Sequence, residues 1–535
     1  MPNIFLGRGE TAVELLPSKA NRHALIAGAT GTGKTVTLKV IAEAFSSLGI
    51  PVFLPDIKGD LLSFAEKGES SVKLQERLSL LKLNNFQFRT YPIRVWSILN
   101  ETGHQIRTTV SEMGPLLLSR LLGLNEIQEG VLNIAFRVAD EEGLLLLDLK
   151  DLKAVLHYIG ENKGELKLNY GNISDTSIGA IQRALLILEN EGAENFFGEP
   201  ALDINDFFKT DIEGNGFINI LHAVKLYQKP NLYSAFLLWF LSELYEMLPE
   251  TGDAEKPKIV FFFDEAHLLF SEGSKILTQK IEQMIRLIRS KGVSVFFVTQ
   301  SPDDIPENIL GQLGNKIQHA LRAFTPKEQK AVRLAAETFR INPSFNTAEV
   351  ITQLKTGEAL VSVLQEDGSP SITQRVLIAP PHSKIGTVDE AKIKIIVEES
   401  PFFYKYKESI DRKSAYEILT QQFTEKAENK ESNREEEIRL KELKKDEAAK
   451  IKEETALIKA ETAKLRAETA RQKAEEAAKR KYQSTANRLG KVLIDSMTRS
   501  VGREITRGIF GSLKKCLNNN KTFTLKSLRV EGAIF

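Results

Sequence analysis

Two short stretches of the chain hold the residue types that handle phosphate. The first is Gly28-Ala29-Thr30-Gly31-Thr32-Gly33-Lys34-Thr35, entered from the apolar run His23–Ala27 and followed by Val36–Phe45 at helical spacing. Glycines so spaced let the backbone curl until its N–H groups line a concave surface. The helix that follows turns the positive end of its dipole toward the anion. Lys34 would reach the β- and γ-phosphates of a nucleoside triphosphate, and the Thr35 hydroxyl would bind Mg2+. The second stretch is Asp264-Glu265, which ends Lys258-Ile-Val-Phe-Phe-Phe. Five apolar residues predict a buried strand, with Asp264 emerging at the carboxyl end where ligands of parallel sheets sit. Asp264 would hold the Mg2+ shell, and Glu265 would orient and deprotonate the attacking water. An Asp-Glu pair favours ATP, and the sequence has no Asn-Lys-x-Asp to read guanine.

Four further residues are candidates, each with a plainer alternative. Gln300 ends the next strand-like run, which places its amide near the γ-phosphate or leaves it as a cap. Arg289, at a helix end before Gly292, either caps that helix or reaches a neighbouring subunit's nucleotide. Asp56 closes the second strand in Asp56-Ile-Lys-Gly-Asp60. It lies near the water or metal, with Lys58-Gly59 facing a pore, or it makes a turn. Arg322, in Ala320-Leu-Arg-Ala, is expected on the strand after Gln300, as a nucleotide sensor or an ion-pair partner. His267 stands alone and reads as a residue that packs or supports the site from behind.

The elements that must position these groups are legible as alternating apolar runs and Gly/Pro/Asn punctuation. Strands are expected at His23–Ala27, Val52–Pro55, Phe217–Leu221, Ile259–Phe263 and Val293–Thr299. Ala359–Leu364 and Thr373–Ile378 form a hairpin around Gln365-Glu-Asp-Gly-Ser. Over 107–208, Leu and Ile recur at helical spacing and strand signals are few, which predicts an all-helical insertion. From Thr424 to Lys481 the chain is Glu, Lys, Arg and Ala without Pro or Gly, a long solvated helix. There Ala456, Ala460, Ala463, Ala467, Ala470, Ala474 and Ala477 follow the spacing of a coiled-coil seam. The stretch after 484 regains Leu, Ile, Val and Phe and predicts an amphipathic docking segment. The expected organisation is 1–106 with 209–405 as nucleotide-binding core, 107–208 as insertion, 406–483 as charged helix and 484–535 as docking segment.

Composition narrows the classes. Lys and Arg number 72 against 71 Asp and Glu, a net charge of +1 over 535 residues. Holding nucleic acid or anionic membrane by bulk charge is therefore excluded, although a local channel is not. Cys516 is the one cysteine, which excludes a disulfide framework or a cysteine zinc site and fits a reducing compartment. The most apolar stretch, Leu232–Leu248, is broken by Ser234, Ser242, Glu243 and Glu246, too polar to span a bilayer. Met1–Arg8 lacks a signal-peptide pattern, so a cytoplasmic protein without integral membrane association is expected.

Taken in order, G-A-T-G-T-G-K-T, D-I-K-G-D, F-F-D-E-A-H, R-x-K-G-V and V-T-Q-S-P resemble the HerA/FtsK superfamily of P-loop ATPases. With Glu112–Arg120 and Leu124–Gly130 the chain looks most like bacterial HerA-like helicases. The resemblance covers about 1–405 and the end of the tail. It implies a RecA-like α/β fold with a mainly parallel sheet and hydrolysis of ATP with Mg2+. It also implies a homo-oligomer, hexameric in that superfamily, that moves double-stranded DNA through its centre. By motif, Lys34 and Thr35 match the phosphate and Mg2+ residues, Asp264 and Glu265 the metal and catalytic acids, Gln300 the sensor and Arg289 the trans finger. A motor acting on protein, or a nucleotide-gated scaffold whose long helix recruits a protein partner, stays open beside the DNA motor.

Overall fold

The computed structural model describes residues 2–252, 254–271 and 275–484. Its strands are β1 (Ile4–Arg8), β2 (Ala12–Leu15), β3 (Ala24–Ala27), β4 (Val52–Asp56), β5 (Ile93–Ser97), β6 (His104–Gln105), β7 (Ile218–His222), β8 (Ile259–Phe263), β9 (Val293–Thr299), β10 (Asn315–Gln318), β11 (Glu358–Ser362) and β12 (Gln374–Ile378). They form one 12-stranded sheet in the order β2-β1-β12-β11-β10-β3-β9-β8-β4-β7-β5-β6. From β10 to β6 every pairing is parallel. β11, β12, β1 and β2 extend that sheet antiparallel from its β10 side. The fold is α/β with a mainly parallel central sheet. β3, β4, β8 and β9 are buried along their whole length, which is why they read as unbroken apolar runs rather than as alternation.

The helices are α1 (Lys34–Ser47), α2 (Val72–Leu81), α3 (Val110–Leu121), α4 (Glu126–Glu141), α5 (Leu149–Glu161), α6 (Lys163–Tyr170), α7 (Asp175–Asn190), α8 (Pro230–Met247), α9 (His267–Ser271), α10 (Lys275–Ile288), α11 (Glu307–Leu310), α12 (Pro326–Glu337), α13 (Thr347–Gln353), α14 (Glu390–Glu398), α15 (Phe403–Tyr406) and α16 (Ala415–Ser484). On one face of the sheet, Leu38, Ile41 and Phe45 of α1 pack against Ile26, Val52, Phe262 and Phe296. On the other face α8 supplies Phe236 and Phe240. The Phe240 ring lies 4.9 Å from Phe53 and 5.6 Å from Phe261, centroid to centroid. Helices α3 to α7 join this second cluster through residues such as Leu132, Leu152 and Ile181. Three of them start at reciprocal caps, Thr109 with Glu112, Asn125 with Gln128 and Asp148 with Asp151, which fix where each begins.

The N-terminal hairpin β1–β2 and the strands β5 and β6 were not anticipated from sequence, and the strand expected after Gln300 to carry Arg322 is β10, which ends at Gln318, before that residue. β10 reads Asn-Lys-Ile-Gln, with one apolar residue, and is nonetheless held in the sheet by its polar groups. The Asn315 amide donates to the carbonyls of Lys19 and His23, and its oxygen accepts from the Leu364 N–H. The chain divides into a body up to Glu428 and a tail from Asn429. In the tail every described side chain through Arg480 is exposed. Past Ser484 the expected docking segment lies outside the described residues.

Candidate active site

The carboxyl ends of β3, β9, β8 and β4 bring the phosphate-handling residues to one edge of the sheet. β9 lies between β3 and β8, pairing Ala27 with Thr299 on one side and Phe263 with Phe297 on the other. The loop after β3 curls because Gly28, Gly31 and Gly33 take φ of 153°, 77° and 117°. At Gly28 a side chain would also strike the His319 Cβ, 2.5 Å from where its own Cβ would stand. Gly33 precedes α1 without any side-chain cap, so the first N–H groups of a 14-residue helix face the loop unsatisfied by side chains. Around Gly31 nothing lies within 4 Å of an added Cβ. Ala29, Thr30 and Gly31 form the open lip, and the Thr32 hydroxyl donates to the Ala29 carbonyl at 2.7 Å.

Lys34 is buried and folds back over the loop, its Nζ donating to the carbonyls of Gly28 at 2.6 Å and Ala29 at 3.1 Å. Burial holds its pKa below the ordinary lysine value, opposed by the negative charges of Glu265, Asp264 and Asp304. The lysine therefore shares an electrostatic field with the acid pair across β9. Thr35 follows in the first turn of α1, partly exposed.

Asp264 is buried, and burial pushes its pKa up to about 6, with Lys58 working in the opposite direction. Glu265 has a left-handed backbone, φ 49°, an unusual setting for a residue with a long side chain. Its N–H donates to the Asp264 carboxylate at 2.9 Å. Two side chains hold its own carboxylate, Lys58 at 2.6 Å and the Gln300 amide at 3.3 Å, and His267 Nδ1 lies 3.3 Å from it. Burial alone would raise the Glu265 pKa, but the Lys58 charge and hydrogen bond, aided by Gln300, hold it below the ordinary value. Gln300 thus reaches the acid pair itself, and His267, expected to pack or to support the site from behind, lies beside Glu265.

Of the two readings of Asp56, the structure has the turn and not the place beside the water or metal. The side chain is fully buried and turns its carboxylate to its own loop, accepting from the N–H groups of Gly59 at 2.7 Å, Asp60 at 3.2 Å and Leu61 at 3.0 Å. The residue of that loop that meets the acids is Lys58, read from sequence as facing a pore. Arg322 lines a cavity of about 390 Å3 beside the loop, with Ala29, Thr30, Gln300, Asp304 and Lys327. Arg289 does not join the cluster within its own chain. It precedes β9, so a seven-residue strand separates it from Gln300, about 23 Å at 3.3 Å per residue.

His319 was missed because it belongs to no phosphate motif. It is buried under the loop, with Nε2 2.9 Å from the Thr37 hydroxyl of α1 and Nδ1 2.9 Å from the Glu358 carbonyl. Burial, with the charges of Lys34 and Arg77 nearby, lowers its pKa to about 4. Gly357 braces the loop from the same side, donating its N–H to the Thr32 carbonyl at 2.8 Å.

A glycine loop between strand and helix, faced across one intervening strand by an acid pair, defines a P-loop nucleotide-binding fold. The chain belongs to the helicase HerA-like C-terminal family, whose model matches residues 3–516, and so to the HerA/FtsK group of P-loop proteins. It is 25% identical over 363 residues to the DNA double-strand break repair helicase HerA of Sulfurisphaera tokodaii, covering 66% of this chain and 64% of that protein. It is 23% identical over 362 residues to the helicase of the same name from Sulfolobus acidocaldarius, again covering 66% and 64%. The chain therefore spans a little under two thirds of the length of these relatives. Among solved structures it is similar to the conjugative coupling protein TrwB in its unbound form (TM-score 0.46, 16% identity, 73% of this chain and 91% of that one). VirB4 of Thermoanaerobacter pseudethanolicus gives a TM-score of 0.42 at 16% identity, covering 70% and 96%. No helix among the described residues is long and apolar enough to cross a membrane.

Proposed function

We propose that the chain is a Mg2+-dependent ATPase, a ring-forming motor that moves along double-stranded DNA. The observation that carries the hydrolytic part is the convergence of Lys34, Asp264, Glu265 and Gln300 at one sheet edge. The residues present fit the groups this reading requires: unsatisfied helix N–H groups and an open glycine lip for phosphate, and Thr35 with Asp264 for the metal. When bound, Mg2+ neutralises phosphate charge and holds the transferring group in line. Lys34 exchanges the Gly28 and Ala29 carbonyls for phosphate oxygens. Glu265, steered by Lys58, Gln300 and His267, accepts the proton of the attacking water.

Two features support assembly and DNA as the finer reading. Arg289, a strand's length from its own chain's Gln300, is consistent with service to a neighbouring copy. The family's curated relatives are DNA helicases by name. The decisive experiment is ATP turnover with and without duplex DNA across a salt series. Stimulation that fades with salt supports the DNA motor; turnover indifferent to DNA refutes it in favour of a protein substrate. Arg289→Ala should cut turnover at nearly unchanged nucleotide affinity. Mixing that variant with Lys34→Ala chains should restore activity, and failure of any rescue would argue against action between subunits.

A further inference from the structure

The tail carries a seam that its alanines conceal. Ile451, Ile458 and Leu465 recur every seventh residue with side chains 64%, 59% and 67% exposed, and Thr455, Thr462 and Thr469 stand midway between and beyond them. Together they make a 4-3-4-3 stripe in which Thr takes the a position and Ile or Leu the d position. Each threonine hydroxyl donates to a carbonyl of its own helix four residues back: Thr455 to Ile451, Thr462 to Ile458 and Thr469 to Leu465. The hydroxyl thus has its partner before any second helix arrives, and burying the threonine leaves no polar group stranded.

The flanks of this stripe are sorted by sign. The g positions are Glu447, Glu454, Glu461, Glu468 and Glu475, and the e positions are Lys445, Lys452, Lys459, Arg466, Lys473 and Arg480. In a parallel in-register pair each g faces the e of the partner's next heptad, so glutamate meets lysine or arginine at every step. In an antiparallel pair g faces g and e faces e, and like charges meet throughout. The alanine stripe gives the opposite result. Its flanks are Lys452, Lys459, Arg466 and Lys473 on one side and Lys450, Leu457, Lys464 and Arg471 on the other, so a second copy would be repelled along both edges. Alanine also buries far less area than Ile or Leu. Among the described residues Glu454, Glu461, Glu468, Lys452, Lys459 and Arg466 form no ion pair within their own helix, which leaves both flanks available.

We propose that the tail over 445–480 pairs with the tail of a second copy of this chain, parallel and in register, through Ile451, Thr455, Ile458, Thr462, Leu465 and Thr469. One acidic and one basic flank make the helix complementary to itself. A partner helix with a single sign of charge would be repelled along one edge. Parallel pairing brings the Asn429 ends of two tails together and so couples neighbouring bodies independently of nucleotide.

The test is cysteine cross-linking of the full chain in a Cys516→Ser background under mild oxidation. Ile451→Cys and Leu465→Cys should each give a disulfide-linked dimer of the 59.9 kDa chain, and Ala460→Cys, on the far side of the stripe, should not. Cross-linking of Ala460→Cys in place of the other two would install the alanine stripe as the seam and overturn the proposal. A link formed only when Ile451→Cys and Thr469→Cys chains are mixed would make the pair antiparallel, and no link at all would make the tail solitary; either result also overturns it. Reversing Glu454, Glu461 and Glu468 to Lys in the Ile451→Cys chain should reduce the dimer at least tenfold. Mixing that chain with Ile451→Cys chains carrying Lys452→Glu, Lys459→Glu and Arg466→Glu should restore it. Cross-linking indifferent to both sets would refute charge as the basis of the pairing.

Discussion

Two of the places where lysine meets glutamate could hardly differ more. In the body, Lys58 lies 2.6 Å from Glu265, whose side chain is 10% exposed at the end of a buried strand. In the tail, Lys441 lies 3.8 Å from Glu437, both side chains more than three-quarters exposed. The Glu265 carboxylate is mostly buried although Lys58 stays 42% exposed, and the charges or hydrogen bonds of Lys58, Lys34, Gln300 and His267 meet there. In the tail, solvent and salt screen the pair almost completely. A charge in the body is therefore fixed and has an individual role, while charges in the tail act through their repeat.

The largest effect expected from breaking the body's arrangement is at Glu265 itself. Glu265→Gln keeps the shape and the Gln300 contact but removes the proton acceptor. Turnover should fall by about 10²–10⁴, the usual worth of a general base, while ATP affinity, measured by a fluorescent analogue, stays within a few-fold. Lys34→Ala should lose both turnover and affinity, because the lysine acts on the phosphates directly. If Glu265→Gln hydrolysed ATP at the normal rate, Glu265 could not be the base.

The next effect is on stability. His23, His104 and His319 are buried, and burial lowers each pKa from 6.5 to about 4. The folded state keeps them neutral, whereas the unfolded chain takes up protons near pH 6.5. Their contribution is thus complete above about pH 6.5 and is lost as pH falls toward 4. A shift of that size carries up to about 3 kcal/mol per histidine. Urea midpoints measured from pH 7 to pH 4.5 should fall steeply, and His319→Gln should flatten the curve. A His319→Gln curve parallel to that of the original chain would show that this imidazole is not kept neutral by the fold. The tail, with no described buried histidine, contributes nothing to this dependence.

How much of this could be read from the chain follows the same division between local and distant contacts. The glycine loop and the Phe-rich strand before Asp264 are contiguous motifs whose chemistry depends on neighbours in sequence. Gln300 was legible because one helix and one strand separate it from Asp264. His319 and Gly357 were not, since they touch the loop only after β10 and β11 pair beside β3. The strand after Gln300 was expected too far along, at Ala320–Ala323, because Asn315 secures β10 with hydrogen bonds that leave no apolar signature. Lys58 was read as facing a pore because a turn motif says nothing of what its middle residue reaches. In the tail, the frequency of alanine outweighed the less common Ile and Leu, and the sign of the flanking charges had to be counted position by position to separate the two stripes.

Lys58 offers a sharper and smaller test of the body. Lys58→Met removes one of the three groups around the Glu265 carboxylate and leaves Gln300 and His267 in place. Turnover should drop about tenfold, well short of Glu265→Gln, because a base held by fewer contacts is less well aimed. KM for ATP should hardly move, since Lys58 faces the acid rather than the loop. Lys58→Arg should restore part of the loss. An Arg variant no better than Met would mean that the length of the lysine, and not its charge, positions the acid.

The smallest effect belongs to the tail pair. Glu437→Gln should change the urea midpoint by no more than the roughly 0.3–0.5 kcal/mol of an exposed i,i+4 pair, and should leave ATP turnover unchanged. The reason is geometric: at 3.8 Å and more than three-quarters exposed the two side chains share their contacts with water, and Glu437 has a second basic neighbour, Arg434, one turn away. Added salt should erase even this difference, whereas the Lys58→Met defect should persist in salt because Glu265 is buried. If Glu437→Gln cost as much as a body substitution, the tail could not be a solvated helix at that point. The charge repeat around Ile451 would then have to be reconsidered as part of a packed surface.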